Sequence, residues 1–267
     1  MLRLIDIELF KIKHSRSAKV MTILYFSLFL SAALLSTIKF SIGSIEFRLA
    51  DQGIYNFPFT WHFMSYMVAL LKIILAIVIV SMMSSEYTHR TIKQNLIDGL
   101  SKKEFILSKF YVVVIYSLVS TIVLFLVVLT LGLIFSDYTE FQIIFRDLEY
   151  LGAYFVKLTG FFTLCMFLGL LVRRSAFALG FLLLLLIAEL IIGHYVPFIE
   201  NFTPLNAMSG LIEEPFSRFD AVKTAAKTLD ADILSDYSVK ISNIITVLVW
   251  TALFVLGSYK LLKKRDL

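Results

Sequence analysis

The chain has 267 residues, 59% of them hydrophobic and 17% charged, whereas a soluble domain carries about 45–50% apolar and about 25% charged residues. With a mean hydropathy of +0.85, too little polar surface remains to clothe a water-soluble core, which excludes a soluble globule and points to a bilayer. One cysteine, Cys165, excludes a disulfide framework or thiolate metal cage within one chain, and the net charge of +5 lies beside apolar segments without forming a basic stripe, so no nucleic acid is expected.

Residues 1–19 place Leu2, Ile5, Leu9 and Ile12 on one helical stripe, with Arg3, Lys11 and Lys13 among the polar positions. That pattern predicts an N-terminal helix lying in the membrane interface. Crossing about 30 Å of hydrocarbon takes about 20 helical residues. Six apolar runs reach that length: Val20 to Ile38, Trp61 to Met83, Phe105 to Phe135, Tyr150 to Val172, Ala176 to Val196, and Ile241 to Leu262. All six are expected to be helices, because lipid-facing backbone must satisfy its own hydrogen bonds and the alternation of barrel strands is absent. The first run is expected to stay attached, since the segment before it is long and no small-residue cleavage site follows.

Between the second and third runs, segment 84–103 has its own punctuation. Gly99 supplies a left-handed stop, and Ser101 with Glu104 forms a capping box for the next helix. Thr88, Ile92 and Leu96 fall at i, i+4, i+8, joined by Ile97 and Leu100, and predict a short amphipathic helix ending at Asp98. The pattern fits a helix resting on lipid and equally one docking to a partner.

Further along, Arg173 to Ser175 is a tight turn and residues 197–240 form a long outer segment. Its first part, Phe198 to Leu211, either dips back into the membrane or runs along the surface, and Asp220 to Leu229 reads as a short outer helix. Three charges sit inside the spans: Lys72, Lys157 and Glu189. Lys157 and Glu189 each lie about 10 Å below the outer boundary at 1.5 Å per residue. That match allows an ion pair between the fourth and fifth spans, either as a structural pair or as a lining of a route; Lys72 is left open. Lys and Arg near the span ends divide sixteen against seven in favour of the side that holds both termini, which predicts cytoplasmic termini. Tyr55, Phe57, Phe59, Trp61, Tyr150, Tyr154 and Tyr195 at the outer boundaries agree with that frame.

Glu8-Leu-Phe-Lys11 with Lys13 and Ser15, and Ser85-Glu-Tyr-Thr-His-Arg-Thr-Ile92 followed by Leu96, Gly99, Leu100, Ser101 and Lys109, resemble the permease subunits of type-2 ABC exporters. The resemblance spans the whole chain. It implies a single all-α membrane domain over 1–267, with six transmembrane helices, the interfacial helix, and a cytoplasmic coupling helix seated in a cleft of a separate ATPase. Carried over by position, Glu86, Thr91, Ile92, Leu96, Gly99 and Ser101 would couple to that ATPase; Lys102 stands where Arg is commoner. Thr203-Pro-Leu-Asn-Ala-Met-Ser209 also resembles the family, in a segment where short re-entrant helices are expected.

The resemblance further implies ATP-driven export of an amphipathic substrate, such as an antimicrobial peptide, drug or lipid, across a bacterial cytoplasmic (inner) membrane. The implied partners are a cytoplasmic ABC ATPase dimer, a second permease copy or homologous permease, and membrane lipid. No G-x-x-x-x-G-K-[ST] occurs, so ATP and Mg are expected on the partner and no cofactor on this chain. His14, His62, His89 and His194 lack zinc-type pairing and no G-x-S-x-G elbow exists, so no catalysis of its own is expected. The rival classes are a membrane anchor or assembly platform for an envelope machine, and an ion conductor, for which one Lys-Lys-Glu set makes neither a carboxylate ring nor a carbonyl filter.

Overall fold

A computed structural model describes residues 2–42, 45–89, 91–219 and 237–265. The expected outer helix at Asp220 to Leu229 lies outside the described residues. Helix α1 (Leu2–His14) ends at Ser15, whose Oγ accepts the Ala18 N–H at 3.3 Å and starts α2 (Arg16–Leu35). The first apolar helix thus begins ahead of Val20, and residues 16–19 belong to it and not to the N-terminal helix. A small antiparallel hairpin follows, β1 (Phe40–Ile42) and β2 (Ile45–Phe47), with Phe40 opposite Phe47. Nothing in the hydropathy pattern foreshadows it.

The second apolar run is two helices, α3 (Phe59–Leu70) and α4 (Lys72–Thr88), bent by 46° at Leu71. At the bend the ladder tightens to three-residue bonds, Leu71 N–H to Val68 O and Ile74 N–H to Leu71 O, both 3.0 Å. No Gly or Pro marks it. Next come α5 (Thr91–Ile97), α6 (Lys102–Phe135), α7 (Phe141–Ile144), α8 (Glu149–Val172), α9 (Ser175–Tyr195), α10 (Pro197–Glu200), α11 (Pro204–Ser209) and α12 (Ile241–Lys264). Among the described residues, five helices are long and apolar enough to cross a membrane, and the bent α3–α4 pair meets the same standard as one broken span.

Helix α8 is the axis of the bundle, packing against α3, α4, α6, α9, α11 and α12. Two glycines let neighbours come close: a Cβ on Gly160 would sit 2.7 Å from Val247 Cγ1 on α12, and one on Gly169 would sit 2.9 Å from Met83 Cβ on α4. Helix α9 is peripheral. It buries Ala178, Leu182 and Glu189 and leaves Leu183, Leu184 and Leu190 exposed, a surface suited to lipid.

One end of the bundle gathers Arg265, just past α12, with the ends of several other helices. Arg265 donates to Tyr87 Oη (2.8 Å), Leu170 O (2.6 Å) and Leu171 O (2.9 Å), while Lys102 Nζ donates to Arg265 O (3.2 Å). The end of α4, the start of α6 and the ends of α8 and α12 therefore lie together, next to α1.

Candidate functional site

Residues far apart in the chain meet at that end. Glu8 of α1, Glu86 of α4 and Lys109 of α6 are all buried. The Lys109 ammonium donates to Glu8 Oε2 at 2.5 Å and to Glu86 Oε1. Lys11 Nζ adds contacts to Glu8 (3.2 Å) and Glu86 (3.0 Å). Two ammoniums thus face two carboxylates. Burial pulls the Lys11 pKa down, but the Glu8 and Glu86 carboxylates outweigh it and hold that ammonium above the usual lysine value.

This ionic centre turns α1 differently from its apolar stripe. Glu8 points inward, with Ile5 and Ile12 half-buried beside it, while Leu9 and Phe10 are exposed. Burying a carboxylate against Lys109 decides the rotation, since an unpaired buried ammonium costs more than one exposed leucine.

The Thr91 hydroxyl opens α5 and donates to Glu86 Oε2. Helix α5 is shorter than expected: Thr88 belongs to α4, and the helix stops at Ile97, one residue before Asp98. Its stop is as expected. Gly99 is left-handed at φ +96°, Leu100 N–H donates to Asn95 O at 3.0 Å, and Gly99 N–H donates to Leu96 O at 3.2 Å, the paired bonds of a Schellman end. Ser101 and Glu104 then form the capping box of α6. Of the expected coupling residues, Glu86 and Thr91 join the ionic centre, Ile92 is buried, and Leu96 is half-buried. Gly99 and Ser101 serve as hard ends. Ile97, 75% exposed, is an apolar side chain on the outward face of α5.

The three intramembrane charges behave otherwise. Among the described residues Lys157 and Glu189 form no ion pair with each other; instead they bracket α11. The Glu189 carboxylate accepts the N–H groups of Leu205 (2.9 Å) and Asn206 (2.9 Å), and Lys157 Nζ donates to Ser209 O (3.3 Å). A negative group at the helix start and a positive one at its end both complement the helix dipole. Thr203, which precedes α11, spends its hydroxyl on Glu200 O (2.9 Å), so the cap comes from α9. Glu189 lies six residues before Tyr195, about 9 Å along α9 at 1.5 Å per residue. The chain after α9 therefore folds back along it, and Trp250 Nε1 holds the return at Phe202 O (2.8 Å).

Lys72, at the α3–α4 break, has its ammonium 4.5 Å from the centroid of the Phe161 ring. No ion pair among the described residues includes it. A cation–π contact is worth about 0.5–2 kcal/mol, less than the about 2.5–3.5 kcal/mol that translocon scales assign to a mid-span lysine. Its charge is only partly answered.

Sequence reasoning missed a knot around His62. Its Nε2 lies 2.9 Å from Glu213 O, its Nδ1 lies 3.1 Å from Arg218 Nη1, and the ring stacks on Tyr150 at 4.4 Å. Tyr150 Oη donates to Tyr237 O (2.6 Å), so Glu213, Arg218 and Tyr237 are tied to α3 and α8. Period and spacing give no signal for such contacts. Among the described residues, no group of three or more His, Cys, Asp or Glu side chains could hold a metal ion.

Apolar helices of spanning length around a central α8 define the class, a helical membrane protein. Within it, the chain belongs to the family described as "Protein of unknown function (DUF2705)", whose model matches residues 18–267. No curated protein matches the chain.

Proposed function

We propose that this protein is the permease subunit of an ATP-driven exporter, a six-span bundle with cytoplasmic termini that pairs with a second permease and with two cytoplasmic ATPases. The observation that carries this reading is the ionic centre. Glu8, Lys11, Glu86, Thr91 and Lys109 come from stretches that resemble exporter permeases, and they converge on one contact joining α1, α4, α5 and α6.

Such a joint can carry force. A push on α5 reaches Glu86 through Thr91, then α6 and α1 through Lys109 and Lys11, and continues along α4 to the break at Leu71. A short helix with a glycine stop and a capping box beyond it keeps its shape under load better than a frayed one. Ile97 offers the apolar anchor for an ATPase cleft. The fold-back of α10 and α11 forms the outer closure, and an amphipathic substrate leaves between the two permeases.

Affinity purification from native membranes tests this reading. The intact chain recovers a nucleotide hydrolase, and Ile97→Asp, exposed and remote from the ionic centre, loses it while leaving the thermal unfolding midpoint unchanged. Failure of the intact chain to recover any hydrolase would overturn the proposal. A recovered hydrolase whose activity no amphiphile stimulates, with no transport in vesicles, would favour a membrane anchor.

A further inference from the structure

A cleft of about 390 Å³ opens between α4, α8, α9 and α11, within the about 300–1,000 Å³ range of small-molecule sites. Its lining runs along α9 from Leu179 to Leu190, about 16 Å at 1.5 Å per residue. The α9 wall is leucine, and Leu183 and Leu190 are exposed at its rim. Against this apolar wall stand Lys72, Glu189 and Asn206. The Glu189 carboxylate is already engaged by the backbone of α11. Among the described residues Lys72 makes no ion pair and meets the Phe161 ring, and the Asn206 carboxamide makes no hydrogen bond.

We propose that this cleft binds a single-tailed amphiphile bearing one carboxylate, a fatty-acid-like molecule entering from the bilayer, with its head on Lys72 and Asn206 and its tail against the leucines of α9. Three features select that occupant. Lys72, with Lys157 held on the cleft-lining Ser209, sets two ammoniums against the single Glu189 carboxylate, so one further negative charge brings balance, whereas a dianionic head would bring an excess charge to the same depth. A carboxylate accepts from both an ammonium and a carboxamide N–H. The exposed leucine rim opens toward surroundings that already hold hydrocarbon chains.

The site is independent of the ATPase reading, and it narrows the exporter's cargo to carboxylate amphiphiles where that reading holds. The test uses the full chain in nanodiscs of zwitterionic lipid, with no hydrolase present, and a diazirine-bearing fatty acid as photoprobe. Labelling is expected on α9 between Leu179 and Leu190 or on α4 beside Lys72. Dodecanoate should compete at least tenfold better than dodecanol. Lys72→Met should erase that preference, Lys72→Arg should keep it, and Leu186→Trp, which fills the cleft and spares the charge, should abolish labelling.

Labelling elsewhere, equal competition by acid and alcohol, or a preference that survives Lys72→Met overturns the proposal. Should Lys72→Met fail to fold, the acid-to-alcohol ratio in the intact chain and the Leu186→Trp result decide. A chain that recovers a hydrolase but shows no acid preference loses the site alone. One that shows the preference without a hydrolase loses only the exporter.

Discussion

The ionic centre at one end of the bundle and the charges within the apolar helices use the same residue types to opposite ends. At the ionic centre Glu8, Glu86, Lys11 and Lys109 answer one another within hydrogen-bonding reach, and the Thr91 hydroxyl completes the set. Deeper in the bundle, Lys157 and Glu189 spend themselves on the two ends of α11, and Lys72 rests on an aromatic face. A closed, neutral cluster fastens the helices that carry it, because moving one helix away exposes every partner's charge. A charge answered by a dipole or a ring leaves its element freer to move, and in Lys72 leaves capacity for a ligand.

Lys109→Met strikes the first region hardest. It leaves two buried carboxylates to share the single Lys11 ammonium and is expected to destabilise by about 3–5 kcal/mol, the cost of breaking a buried pair from one side. Thermal unfolding of the purified protein in detergent reads this out. Adding Glu86→Gln should restore part of the loss, since the second change removes the negative charge that the first leaves in excess. Strictly additive losses would mean that the cluster is a set of independent contacts.

Glu189→Gln probes the second region and should cost less, about 1–3 kcal/mol, the price of leaving backbone N–H groups poorly satisfied. A carboxamide keeps one acceptor oxygen where the carboxylate offers two, and it gives up the favourable interaction with the α11 dipole. The loss should appear as faster hydrogen exchange at Leu205 and Asn206, with exchange at Thr91 unchanged. Equal loosening at both places would erase the distinction between the two regions.

Much of this contrast could be read before the fold was known, though unevenly. The helices were legible because spanning length and polarity leave few alternatives, and the stop of α5 and the start of α6 were legible because Gly99, Ser101 and Glu104 act through local geometry. Glu8 and Lys109 were visible only through resemblance; their mutual contact joins positions a hundred residues apart and no periodicity encodes it. Matching depth allowed an ion pair between Lys157 and Glu189, whereas the structure sets the two charges at opposite ends of α11. Depth alone missed α11 because a six-residue helix inside a long loop has no period to detect, and its bare N–H groups compete for a carboxylate as well as an ammonium does. The break at Leu71 was hidden for lack of any Gly or Pro.

The smallest effect is expected where the two regions are joined to the outside, at Gly99. Its φ of +96° excludes most side chains, yet a Cβ there would meet nothing within 4 Å. Gly99→Ala therefore carries a backbone penalty alone, about 1 kcal/mol for a left-handed residue, with no packing loss added. Asn tolerates that conformation better than Ala, so Gly99→Asn should lie between Ala and the native residue. The loss should be local, showing as faster hydrogen exchange at the Leu100 and Gly99 amides that close on Asn95 and Leu96, with the unfolding midpoint little moved. The penalty acts on the stop of α5 and leaves the Glu86–Lys109 contact intact, so if the proposed hydrolase partner is recovered, a fall in its stimulation by Gly99→Ala is expected only together with that softened helix end. If exchange at Leu100 is unchanged while stimulation falls, stiffness is not what α5 contributes.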